Sequence, residues 1–193
     1  IKYYIVSFLI GAITFFMFLS YSGVAGGKYN FLEGDGIEAV ANLKECVRSV
    51  LNGDSIFYSW GISLGMESIA NYVTGSVIFS ITGPLFIIFN KVDFSILVII
   101  SLSIKAGLAS LFFFIFSTHI YKVKNWIALF FGITYSMCGF QVYFNTIIYE
   151  WADAIFLLPL VLLFVHNLVK NRKFILLILI YSYLFLNTYY MSK

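Results

Sequence analysis

From Phe94 to Ser117 the chain carries one charged side chain, Lys105, in a run long enough to cross the hydrocarbon layer of a bilayer. Four other apolar stretches reach a similar length, at roughly 3–20, 126–144, 152–169 and 174–190. Hydrocarbon offers backbone groups no hydrogen-bond partner, so such runs fold as helices that satisfy themselves. The expected fold is therefore an all-α, polytopic helical membrane protein with about five transmembrane helices. Composition agrees, because 61% of the 193 residues are hydrophobic and only 11% are charged. Soluble domains run at about 45–50% apolar and about a quarter charged, which leaves this chain without the polar surface a water-facing globule needs. Cys46 and Cys138 are too few for a disulfide-dense scaffold or a cysteine zinc site. A scattered net charge of +3 gives no footprint for nucleic acid.

Charge sets the topology. The stretch 76–90 is apolar but short and contains Gly83-Pro84, which suits an interfacial or re-entrant segment. If it does not cross, Lys2, the Lys122/Lys124 loop and the Lys170/Arg172/Lys173 loop share one side, as the positive-inside rule requires. The expectation is five spans in the cell membrane, with the N-terminus cytoplasmic. A cleaved signal peptide is the competing reading of the first segment, with Ala25-Gly26-Gly27 as the small-residue stretch, but four more spans follow it. All nine acids then fall outside or at the outer boundary, an asymmetry that was not used to orient the chain. The chain opens without Met and stops at Lys193 just after an aromatic run, so it reads as part of something longer.

The external loop, about 21–93, is the one sizeable region between spans. Ile37, Val40, Leu43, Val47 and Val50/Leu51 recur at helical spacing, with Glu38, Asn42, Glu45, Arg48 and Asn52 on the other face. Asp35 and Glu38 stand like a capping box, and Asn52-Gly53 supplies a stop. The pattern predicts an amphipathic juxtamembrane helix lying at the interface with its apolar side in lipid. Beyond it, the run from Tyr58 to Gly65 mixes aromatics with glycines, as a loop folding over a ligand would, while for Trp60 alone an interfacial anchor is the favoured reading.

Several short runs, taken in order, resemble the YfhO family of bacterial membrane proteins. They are Gly34-Asp35-Gly36, Trp60-Gly61 with Leu64-Gly65, Ile104 to Ala109, Tyr135 to Phe140, Trp151-Ala152-Asp153-Ala154 leading to Leu158-Pro159-Leu160, and Asn187-Thr188-Tyr189. One departure is the placement of Gly83-Pro84 within the short apolar segment, where family members carry Ser-Pro before it. The resemblance implies a GT-C-like fold and a glycosyltransferase that uses a polyprenyl-phosphate sugar donor on the external face. It also implies a cell-surface polymer as acceptor, such as lipoteichoic or wall teichoic acid. In the family position Asp35 would be the catalytic base, where an ordinary helix cap is the structural alternative.

Sugar transfer from a lipid phosphate needs a base, a group that holds the phosphate and a water-poor pocket at the membrane surface. Lys105 is the most unusual residue, because a charge near the middle of a span costs about 2.5 to 3.5 kcal/mol and should face the bundle interior. It is expected to bind a lipid phosphate or to pair with Asp35 or Asp153. Asp153 and Glu150 mark a second acidic point, although Asp153 also suits a helix N-terminus. Glu33, Trp60 and Asn187 complete the candidate substrate contacts. Helix-to-helix hydrogen bonding is the alternative for Asn187, solvation for Glu33. Mg²⁺ or Mn²⁺ would be the cation suited to the acids, but no ligand set stands out and no metal residues are assigned. No Walker loop, dinucleotide fingerprint, HExxH or GxSxG pattern occurs. The rival function is a transporter or flippase for a lipid-linked precursor, which a charged intramembrane path would favour.

Overall fold

The computed structural model describes residues 2–21, 35–54, 58–59, 66–67, 80–147 and 151–187. Among these residues the fold is all-α, apart from a two-residue antiparallel pairing of β1 (Tyr58–Ser59) with β2 (Met66–Glu67). The helices are α1 (Lys2–Tyr21), α2 (Asp35–Asn52), α3 (Gly83–Ile88), α4 (Phe94–Ile120), α5 (Asn125–Ser136), α6 (Gly139–Ile147), α7 (Ala152–Asn171) and α8 (Ile175–Asn187). By length and composition, α1, α4 and α7 can each cross a membrane, and α8 is a shorter apolar helix.

Helix α4 is the axis of the bundle, with α1, α5 and α7 packed around it. Small residues permit the closeness. A Cβ on Gly11 would lie 2.6 Å from Ser110 Cβ, one on Gly107 2.8 Å from the Phe8 carbonyl, and one on Gly132 2.6 Å from the Ser110 carbonyl. Ser7 and Ser110 add a buried hydroxyl pair at 3.0 Å between α1 and α4. This is how helices associate where lipid is as apolar as leucine, by backbone approach and a few interhelical hydrogen bonds. Gly132→Val forces the α4 backbone aside, and is expected to cost about 1–3 kcal/mol in thermal unfolding of the detergent-solubilised protein. Unfolding at the wild-type temperature would contradict the close approach.

The expected span at 126–144 is broken. Helix α5 ends at Ser136, Met137 and Cys138 turn the chain, and α6 sets off separately. The break agrees with the run Ser136-Met137-Cys138-Gly139, whose glycine follows a helix end that the apolar count alone had passed over. Helix α7 shows how a proline is accommodated. Pro159 has no N–H to offer the Ile155 carbonyl four residues earlier, and the Tyr135 hydroxyl on α5 donates to that carbonyl instead at 2.7 Å. Tyr135→Phe strands the carbonyl and is expected to cost about 1–3 kcal/mol, read as a lowered midpoint of thermal unfolding.

Helix α2 forms where the apolar spacing placed it and ends at Gly53, which adopts φ 72° while Asp54 N–H donates to Ser49 O at 2.9 Å. Its environment differs from the expectation. Val40, Leu43, Cys46 and Val47 are buried in one cluster with Phe15, Leu19, Phe86, Phe94, Leu97 and Val98. From Val40 to Val47 the apolar stripe therefore meets protein and not lipid, while Leu51 is exposed, because the ends of α1 and α4 and the short α3 together present a larger apolar surface. On the other side, Arg48 makes a two-pronged ion pair with Glu45 at 2.6 and 2.8 Å. Gly83-Pro84 does not interrupt a helix; it starts α3, where proline's missing N–H costs nothing. Asp93 caps α4, accepting from Ser95 N–H at 2.7 Å, and that bond holds its carboxyl below the ordinary range.

Register gives the bundle two unlike ends. Helix α1 runs antiparallel to α4, with Tyr4 against Phe114 and Ser7 against Ser110, while α7 runs parallel to it, with Asp153 beside Lys105 and Phe156 beside Phe112. Lys2, Lys122, Lys124, Lys170, Arg172 and Lys173 consequently gather at one end, the basic end. Glu45, Asp54, Asp93 and Asp153 belong to the opposite end, where α2 packs and α4 and α7 begin, together with Lys44, Arg48 and Lys91.

Candidate functional site

The most unusual feature of the opposite end is an ion pair with no exposure. Lys105 Nζ lies 3.3 Å from Asp153 Oδ1, and both side chains are 0% exposed. Lys105 comes from α4 among Ala106, Gly107 and Ala109, whose small side chains leave room for its length and for close neighbours. Asp153 comes from the first turn of α7, where backbone N–H groups favour a carboxylate. Of the two partners the sequence offered Lys105, Asp35 and Asp153, register selects Asp153. The depth is also informative. At 1.5 Å per residue, Lys105 is about 22 Å from the Ile120 end of α4 and Asp153 about 27 Å from the Asn171 end of α7. With the basic loops at one surface of an about 30 Å hydrocarbon layer, the pair belongs to the far third of that layer and not to its middle.

Two hydroxyls lie beside the pair, and two buried amides belong to α8 and α6. Ser80 and Tyr183 lie alongside the Asp153 carboxylate. The segment holding Ser80 is tied down on two sides: Ile81 N–H donates to the Tyr183 hydroxyl at 3.0 Å, and Ser101 on α4 donates to Thr82 Oγ1 at 2.7 Å. Asn187 lies one turn beyond Tyr183 on α8 and is 3% exposed, while Gln141 on α6 is 0% exposed. Neither amide has a hydrogen-bond partner among the described residues. Buried amides without partners are rare in folded proteins and mark places where a polar ligand or water is received. Helix α6 packs against both α2 and α7, and Trp151 stacks on Phe140 at 6.1 Å to brace the start of α7.

The other sequence candidates divide clearly. Asp35 is the first residue of α2, the helix whose inner face covers the ends of α1 and α4. Glu33, Trp60 and Glu150 lie outside the described residues. No group of three or more His, Cys, Asp or Glu side chains able to hold a metal ion occurs among the described residues. Gln141, Ser80 and Tyr183 were not anticipated. Gln141 offered a usable signal, a lone amide inside an apolar run; Ser80 and Tyr183 offered none, because serine and tyrosine are common in such segments.

A family model described as "Bacterial membrane protein YfhO" matches residues 7–192, nearly the whole chain. The chain belongs to the YfhO family. No curated protein and no solved structure gives a significant match. Two contacts join runs that carry the YfhO resemblance. Lys105 in the Ile104 to Ala109 run meets Asp153 in the Trp151 to Ala154 run, and Tyr135 serves the carbonyl freed by Pro159. The YfhO-family chain is thus a helical membrane protein in which motif residues make a buried ion pair and satisfy the carbonyl that Pro159 leaves free.

Proposed function

We propose that this protein is a membrane glycosyltransferase of GT-C type that moves a sugar from a polyprenyl-phosphate donor to a cell-surface polymer, lipoteichoic or wall teichoic acid, outside the cell. The N-terminus and the basic end then face the cytoplasm, and the opposite end faces outward. The observation that carries the reading is the buried Lys105–Asp153 pair at the end of the bundle opposite the basic loops, the end on which α2, beginning at Asp35, packs. Family membership supports it.

In this reading the acceptor hydroxyl attacks the anomeric carbon, the bond from that carbon to the phosphate oxygen breaks, and the phosphate leaves with the electron pair. Asp35 takes the hydroxyl proton. Lys105 supplies positive charge toward the donor phosphate, and Asp153 orients the lysine and shapes the acceptor side. Asn187, Glu33, Glu150 and Trp60 contribute contacts to sugar or acceptor, and a Mg²⁺ or Mn²⁺ ion would be the cation suited to those acids. The deciding experiment gives full-length protein in vesicles a labelled polyprenyl-phosphate sugar and a teichoic acid acceptor. Label is expected on the polymer. Label that crosses the bilayer still attached to lipid, with none on the polymer, overturns the reading and makes the protein a flippase.

A further inference from the structure

A second polar site lies at the basic end, where α7 hands over to α8. Arg172 closes α7 in a left-handed conformation, φ 51°, with its N–H donating to Leu168 O at 2.9 Å. That turn brings Arg172 and Lys173 into the lining of a cavity of about 490 Å³. Phe164 and Asn167 from α7 and Phe174 and Leu176 at the start of α8 form its walls. The volume falls within the range of small-ligand pockets. Arg172 and Lys173 are exposed, and Glu45, Asp54, Asp93 and Asp153 belong to the other end of the bundle. Positive charge, one amide and an apolar wall open to lipid, since Phe174 and Leu176 are 54% and 55% exposed, are the chemistry of one kind of ligand. A free inorganic anion would use the two bases but leave the phenylalanine walls without a partner. The positive-inside rule accounts for basic residues in this loop, but not for their lining a largely apolar cavity between two helices.

We propose that this cavity binds the headgroup of an anionic phospholipid from the leaflet at the basic end. Arg172 grips the phosphate through its fork of donors, Lys173 adds a point charge, and Asn167 donates to a headgroup oxygen. The acyl chains run along the exposed face of α8, over Leu176 and Leu179. The inference is independent of the sugar-transfer reading and survives its failure.

The test uses the protein in nanodiscs and a phosphatidylglycerol carrying a photoreactive group near the headgroup. Labelling is expected to concentrate on peptides spanning 164–176 and to be competed by unlabelled phosphatidylglycerol, but not by phosphatidylcholine or inorganic phosphate. Arg172→Gln with Lys173→Gln is expected to weaken binding about 25-fold, at about fivefold per basic residue. The same change at Lys122 and Lys124 is expected to leave labelling of 164–176 intact. Label spread evenly over the exposed faces of α1 and α8 overturns the proposal. So does competition by inorganic phosphate, or equal losses from the two pairs of substitutions. Labelling of the unsubstituted protein reads the site directly even where the Arg172/Lys173 variant inserts poorly.

Discussion

Asp35→Asn in the full-length protein is expected to lower sugar on the cell-surface polymer by about 10²- to 10⁴-fold, the contribution of a positioned general base. Asparagine keeps the size of the side chain and caps helices about as well as aspartate, so a role confined to capping α2 would survive the change. It cannot accept the acceptor's proton. The helix itself is secured elsewhere, by Val40, Leu43 and Val47 buried against Phe15, Leu19 and Phe94, so protein level should stay normal. Polymer-bound sugar and membrane protein level are measured together. Full glycosylation at normal protein level rules out Asp35 as the base.

Lys105→Met is expected to destabilise the protein by about 3–5 kcal/mol, the usual cost of leaving one member of a buried ion pair uncompensated. Asp153 would remain 0% exposed beside Ser80 and Tyr183, hydroxyls that cannot balance its charge. Lys105→Met combined with Asp153→Leu removes both charges and is expected to recover most of that stability. The double variant then separates structure from function. If it is stable and inactive, the charges serve the reaction. If it is stable and fully active, they serve only the fold, and the phosphate role of Lys105 is lost. A single variant that unfolds at the wild-type temperature would remove the ion pair itself. Thermal unfolding in detergent and sugar transfer in vesicles give the two readings.

Much of the fold was legible in the sequence because the relevant forces act locally. Helices α1, α4 and α7 follow from apolar runs of crossing length, and α2 from its spacing and its Asn52-Gly53 stop. The segregation of basic loops to one end follows from counting spans. Three features were not legible. The run 126–144 became two helices, since a hydropathy count is blind to a two-residue turn at Met137-Cys138. The apolar face of α2 was expected in lipid and lies on protein, because an apolar stripe fits either partner equally well. Ser80 and Tyr183 joined Asp153 from two separate segments that share no sequence pattern.

By itself the sequence determined that this is a helical membrane protein with unlike charged ends, and that Lys105 must avoid lipid. Hydrophobic transfer is nearly additive along a chain, so those conclusions need no knowledge of neighbours. Only the tertiary structure decided that Lys105 meets Asp153, and at what depth. That choice depends on how far α7 slides along α4 and how closely α1 and α5 approach it. Gly11, Gly107, Gly132 and Ser110 set the approach of α1 and α5 through contacts of a few ångströms, while the slide of α7 along α4 is fixed where Phe156 packs on Phe112 beside the ion pair.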